Sequence, residues 1–129
     1  MTTELSDDGL EFVKDRHLAM LSTMARDGAI HLIAVGFTLH DGVVRIIASD
    51  GTQKVRNIER DGRATVGQVD GARWISFVGN AVIERGRDEI TLAENLYGAR
   101  YRQPRPNPTR VALRIEVERV LCSNGLIGG

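Results

Sequence analysis

Cysteine is nearly absent from this chain. Cys122 stands alone, so no internal disulfide can form and no second thiolate exists to build a metal site. His17, His31 and His40 are scattered without metal-ligand spacing, so no metal is expected, and Cys122 reads as a small buried apolar residue. A charge surplus is also lacking. Lys plus Arg and Asp plus Glu each number 17, a formal net charge of zero. A dedicated nucleic-acid binder carries a basic excess, so that class is not expected. No apolar run reaches membrane-spanning length. The acidic start, Met1–Asp8, lacks the basic and apolar regions of a signal peptide. A cytoplasmic protein without a nucleic-acid or membrane partner is the expectation. The 129 residues suit one domain, 1–129, with a modest core.

What is abundant past the first expected helix is the Asp-Gly pair, at residues 27–28, 41–42, 50–51, 61–62 and 70–71. Asp-Gly marks turns, because glycine accepts positive φ and aspartate bonds its own backbone. Apolar runs lie between most of the pairs. Strands are expected over 17–24, 29–39, 43–48, 63–69 and 73–84, with a last one over 109–121. In that last strand Val111, Leu113, Ile115, Val117 and Arg119 alternate with Arg110, Ala112, Arg114, Glu116 and Glu118. Helices are expected over 6–16, capped by Ser6 with Leu10, Phe12 and Val13 inward, and over 87–101, where Ile90, Ala93, Leu96 and Tyr97 share a face. All three prolines fall in 104–108, which makes 102–108 an extended connector. The glycine-rich tail after Cys122 reads as loose. The fold class is mainly β with peripheral helices: a six-stranded antiparallel meander closed into a small barrel. Such a barrel fills its own interior. A sizeable ligand then sits outside, in a groove shared with a second copy, so a homodimer is expected.

The stretch Ser49–Arg60 carries the chemistry. Asp50-Gly51 ends the strand 43–48, and Thr52 is placed to cap a short helix with its hydroxyl. A helix start offers unpaired amides and partial positive charge to an anion. Lys54 and Asn57, three apart, share one face, while Val55 and Ile58 turn inward. The arrangement is either a phosphate cradle or an ordinary strand-to-helix connection, since no full P-loop or dinucleotide fingerprint is present.

The order of elements, with Ala34-Val35-Gly36-Phe37-Thr38, Thr52-Gln53-Lys54-Val55-Arg56-Asn57 and Gly79, resembles the split β-barrel flavin and deazaflavin oxidoreductases, relatives of pyridoxamine 5′-phosphate oxidase. Arg16–Leu21, Gln68–Trp74 and Tyr101–Pro108 are similar to the branch of coenzyme F-420-dependent biliverdin reductases. The resemblance covers nearly the whole chain. It implies an oxidoreductase that moves hydride from reduced F-420, an 8-hydroxy-5-deazaflavin, to a conjugated acceptor, foremost the linear tetrapyrrole biliverdin, giving bilirubin. By position it implies that His31, Ile33 and Val35 offer backbone groups and an apolar wall to the deazaflavin rings. Ala48, Ser49, Asp50 and Gly51 would lie beside the cofactor, and Thr52, Gln53, Lys54 and Asn57 would hold its phosphate. Ala72, Arg73 and Trp74 would close a hairpin on it, from the same or a second subunit; packing is the other role for Trp74. Arg73, Arg102 and Arg105 suit the two propionates of a tetrapyrrole through their forked geometry. No side chain stands out as proton donor; water and an arginine near the ring are the two sources left.

Two other readings compete. An FMN enzyme of the pyridoxamine-phosphate type places Ser-Arg-Lys where this chain has Thr52-Gln53-Lys54, and the Arg-Leu-x-Pro ending of that type is absent from Glu118–Ser123. A non-catalytic carrier of haem, flavin or deazaflavin uses nearly the same binding residues.

Overall fold

The computed structural model describes residues 4–128. In chain order the elements are α1 (Asp7–Lys14), β1 (Ala19–Met24), β2 (Ile30–Val35), β3 (Thr38–His40), β4 (Val43–Ser49), α2 (Gln53–Arg60), β5 (Arg63–Asp70), β6 (Arg73–Glu84), α3 (Arg87–Arg100) and β7 (Arg110–Cys122). The strands form one seven-stranded antiparallel sheet in the order β2-β1-β5-β6-β7-β4-β3. Leu21 of β1, Val35 of β2, and Val44 and Ile46 of β4 enter the same buried cluster as Phe77 and Leu113. Strands from distant places in the order thus share one core, as they must when a sheet curls into a barrel.

The connections follow the turn chemistry. Asp41 and Gly42, with φ of 52° and 73°, make the two-residue hairpin β3–β4, where a type I′ turn needs positive φ at both central residues. The β5–β6 hairpin turns on Gly71-Ala72. The chain is not a meander, however. After β4 it crosses by α2 to β5, which pairs with β1, and it returns by α3 to β7, which lies between β6 and β4. Gly62 is not a positive-φ turn residue either. It accepts a hydrogen bond from Ala81 N at 2.6 Å, and a Cβ there would meet Ala81 O at 2.7 Å.

The expected strand 29–39 is two strands, which raises the count from six to seven. Between them, a Cβ on Gly36 would stand 3.0 Å from the rings of Tyr97 and Tyr101. Phe37 N donates to the Tyr101 hydroxyl at 3.2 Å, and Phe37 O accepts from Arg100 at 2.6 Å. The end of α3 therefore takes the backbone bonds that a neighbouring strand would have taken.

In β7 the alternation changes phase at a bulge. Gly79 faces Val117 and Val78 faces Arg119, so Glu118 is the extra residue. One extra residue moves every later side chain to the other face. Val120 is buried and Arg119 is exposed, the reverse of the expected pattern. Ala112 is buried too, on the side where α3 contacts β7 and β4 and buries Ala93. Nor is the tail loose: Ile127 bridges to Leu5, Ser6 N donates to Leu126 O at 3.0 Å, and Leu126 is in the core. Cys122 is partly buried against that core. In α1, Ser6 caps Gly9 N as expected, but Leu10 faces outward. No helix among the described residues is long and apolar enough to cross a membrane.

Candidate functional site

The turn from β4 into α2 is dense with hydrogen bonds. Ser49 Oγ accepts from Asn107 Nδ2 at 2.8 Å, which ties the proline-rich connector to the strand end. Asp50 N donates to Thr109 O at 2.8 Å. The Asp50 carboxylate accepts from Arg85 through Nε at 3.2 Å and Nη2 at 3.0 Å, and Arg85 also reaches Glu59 at 3.0 Å. Those bonds hold the Asp50 carboxyl below its ordinary value. Gly51, with φ of 79°, makes the corner. Thr52 is the residue before the helix, but its hydroxyl donates back to Ser49 O at 2.9 Å instead of capping a first-turn amide. The amides of that turn stay without a side-chain cap, and no acidic residue lies there.

Lys54 stands beside those amides. It is half-buried, burial pulls its amine below the ordinary lysine value, and it forms no ion pair among the described residues. A partly desolvated ammonium without a counter-ion, at an uncapped helix start, fits a phosphate. Gln53 is exposed at the same turn. Asn57 does not reach this surface. It is fully buried, donates to Thr23 Oγ1 at 3.1 Å, and accepts from Gln53 Nε2 at 2.7 Å and Arg60 at 3.3 Å. Thr23, itself 1% exposed, needs that partner, so Asn57 turns toward the barrel and holds Gln53 in place.

The side chains of the second strand also differ from expectation. Leu21 faces Ile33 and Ala19 faces Val35 across the β1–β2 pair, so both residues point into the core. The outward apolar residues of β2 are Ile30 and Leu32, 70% and 57% exposed. Because β2 ends the sheet order, its outer edge still presents backbone groups. His31 sits opposite Thr23, with Nδ1 buried and without a partner among the described residues. Ala48 points into the core, which leaves only its backbone for a ligand.

Arg73 and Trp74 lie elsewhere. The Arg73 guanidinium stacks 4.7 Å from the Phe12 ring centroid and donates to Asp70 at 3.5 Å; Asp70 in turn stands 3.8 Å from His17. Trp74 bonds Ser123 through its backbone and leaves its indole 42% exposed. The start of α2 lies at the far end of β6, where Asp50 accepts from Arg85, eleven residues or about 36 Å along the chain from Trp74. One chain does not bring the 72–74 hairpin to Lys54.

Arg102 and Arg105 do share a place. With Ile47, Tyr97, Asn107 and Arg110 they line a cavity of ≈ 310 Å³, and Arg102 continues into a second of ≈ 550 Å³ beside Arg16, Leu18 and Tyr101. Arg73 lines neither. Asn107 joins the first cavity to the α2 start through Ser49. Sequence reading missed Arg85, Arg16 and Arg110. Arg110 was findable as the first residue of the last strand; Arg85 had no signal, since its partners are 35 and 26 residues away.

A family model described as pyridoxamine 5′-phosphate oxidase matches residues 5–123. The chain belongs to the pyridoxamine 5′-phosphate oxidase family. A curated relative from Mycobacterium tuberculosis, a biliverdin reductase dependent on reduced F-420, is 48% identical over 128 residues, 98% of this chain and 93% of the relative. Among solved structures, a conserved hypothetical protein of M. tuberculosis superposes with TM-score 0.80 at 24% identity, covering 95% of this chain and 88% of that one. An F-420 reductase superposes with TM-score 0.73 at 20% identity, covering 86% and 94%. Those two structural likenesses concern the fold. The family's split β-barrel, mainly β with few helices, is the sheet described above, with seven strands in place of the six expected.

Proposed function

We propose that this chain is a reductase that uses reduced coenzyme F-420 to deliver hydride to a conjugated acceptor, with biliverdin, reduced to bilirubin, as the acceptor. The observation that carries the reading is the 48% identity over nearly the full length of both proteins to a relative of that activity. The local chemistry agrees. Lys54, the uncapped amides of α2 and Gln53 would hold the cofactor phosphate, and the backbone of 48–51 and the edge of β2 would flank its rings. The cofactor, when bound, supplies the hydride. The chain supplies position and shielding from water. Arg102 and Arg105, with Arg16 nearby, would receive the acceptor's propionates, forked donors against carboxylates.

Arg73 and Trp74 enter this reading from a second copy. Met20, Ile30, Leu32, Val69 and Trp74 share one face of β2-β1-β5-β6 and are 42% exposed or more. An apolar face of that kind is a protein–protein surface. A homodimer through it would bring the 72–74 hairpin of one copy toward the cofactor of the other. Light scattering of Leu32→Glu at micromolar concentration checks this: the parent should be dimeric and the variant monomeric with weakened cofactor binding. A monomeric parent with full activity would overturn the shared site.

The test of the activity is a pair of fluorescence titrations, with F-420 and with FMN, followed by the absorbance of biliverdin under reduced F-420. Tight F-420 binding, weak FMN binding and bilirubin formation are expected. The reverse preference would move the chain to the FMN enzymes and remove the biliverdin assignment. Binding of neither would turn the question to a carrier, with haem as the next ligand to try.

A further inference from the structure

A cleft of ≈ 380 Å³ lies between the end of α1, β3 and the last turns of α3, and none of its lining residues belongs to the site proposed above. Its size is within the range of small-molecule sites, about 300–1,000 Å³. Val13, Leu39 and Leu96 make its apolar wall. Two polar groups in it have unused bonding capacity. Thr38 is 7% exposed, and its Oγ1 is buried with no hydrogen-bond partner among the described residues. A buried hydroxyl without a partner is rare in folded proteins.

Arg100 is the second. Its guanidinium is half-buried, 4.6 Å from the Phe37 ring centroid and 5.1 Å from that of Tyr101. Nε and Nη2 donate to Asp15 O, Nη2 to Gln68 Oε1, and Nη1 to Phe37 O. A guanidinium has five N–H donors. One on Nη1 is left over among the described residues, and all the acceptors are neutral oxygens. No carboxylate lies within ion-pair distance of Arg100 in the described chain. Lys14 lines the rim without an ion pair of its own among the described residues, whereas His40 there has Asp41 at 3.6 Å. The cleft therefore joins an apolar wall to positive charge that no ion pair neutralises and to a buried, unpartnered hydroxyl, with no acidic lining residue among the described residues.

We propose that this cleft is a second ligand site that takes a small amphipathic carboxylate. The apolar body lies against Val13, Leu39 and Leu96. One carboxylate oxygen accepts from the Thr38 hydroxyl and the other from Arg100, with Lys14 adding attraction at the mouth.

Octanoate is the probe, followed by amide chemical shifts in the full chain. Saturable shifts at residues 13–14, 38–40 and 96–100 are expected, with Kd below about 1 mM. 1-Octanol, which keeps the apolar body and loses the charge, should bind about tenfold more weakly. Thr38→Val, nearly isosteric, should weaken octanoate about fivefold. Ala99→Trp, at an exposed helix position on the cleft wall, should abolish it while F-420 binding and the melting temperature stay as in the parent. Four results would each overturn the site: no saturation up to about 10 mM, shifts centred on Met20 and Leu32 of the apolar sheet face, octanol binding as tightly as octanoate, or unchanged octanoate affinity in Ala99→Trp.

Discussion

The start of α2 and the connector 102–108 face the same neighbourhood through the Asn107–Ser49 bond, yet they are built in opposite ways. At the α2 start the chain satisfies its own polar groups: Thr52 on Ser49, Asp50 on Arg85, Asn57 on Thr23 and Gln53. Among the described residues, Lys54 has no ion pair there and the first-turn amides have no side-chain cap. In the connector, Arg102 and Arg105 are exposed, and neither has a carboxylate within ion-pair distance among the described residues. A group held by packing and bonds loses little freedom on binding, whereas a free arginine loses up to about 2 kcal/mol of rotamer entropy when ordered. The first arrangement suits a constant ligand such as a cofactor phosphate. The second suits carboxylates on an acceptor whose position varies.

The contrast breaks most readily at Asn57. Replacing it with leucine, close in size, leaves Thr23 Oγ1 without its partner in a buried place and releases the exposed Gln53 amide. A loss of about 2–3 kcal/mol in denaturant unfolding is expected. A loss under about 0.5 kcal/mol would mean that the network does not hold the turn. Lys54→Ala acts on the ligand instead of the fold. Losing a charge-assisted bond to phosphate should weaken F-420 about tenfold or more, with an unchanged unfolding midpoint, because the lysine is partly desolvated and unpaired in the chain itself. Unchanged affinity would remove Lys54 from the site.

On the connector side the effects should be smaller and should fall on the acceptor. Arg102→Ala and Arg105→Ala should each raise KM for biliverdin about three- to tenfold, with little change in kcat or in cofactor affinity. If either substitution lowered kcat as much as kcat/KM, that arginine would be acting at the reacting atoms and the division of labour drawn here would fail.

The two regions also differ in how far they can be read from the sequence. The strand, corner and helix at 43–60 are legible because each signal is local: an apolar run, Asp50-Gly51, then inward Val55 and Ile58. The family resemblance, carried by short motifs such as Thr52–Asn57, implies a phosphate-holding role for the same helix. What is not legible is which neighbour each polar group meets. Thr52 looks like a cap until Ser49 O is placed beside its hydroxyl. Asn57 looks like a ligand until Thr23, 34 residues earlier, turns out to need it. The apparent single strand 29–39 is divided by Tyr101 and Arg100, more than 60 residues away. The shift of phase in β7 comes from a bulge opposite Val78 and Gly79, which alternation inside β7 alone does not reveal.

The smallest effect separates the two ends of α2. Asp50 before the helix and Asp61 after it each accept from one arginine, Arg85 and Arg63. The Asp61 carboxyl is drawn from 3.8 to about 2, by the side-chain and backbone hydrogen bonds of Arg63. A carboxylate whose folded value is depressed adds stability that is fully present above its unfolded value of about 3.9 and is lost as pH falls through the folded one. Stability from Asp61 is therefore present at neutral pH and declines between about pH 4 and pH 2. The pair is exposed, so its size is modest. A carboxyl NMR titration should give a midpoint near 2 for Asp61 in the parent and a higher one, still below 3.8, in Arg63→Ala, which loses the guanidinium but keeps the backbone N–H donor. Cofactor affinity at neutral pH should be the same in both, since Asp61 is at the far end of the helix from Lys54. A change in that affinity would mean that the helix start is not held independently, and that the cradle depends on both ends of α2.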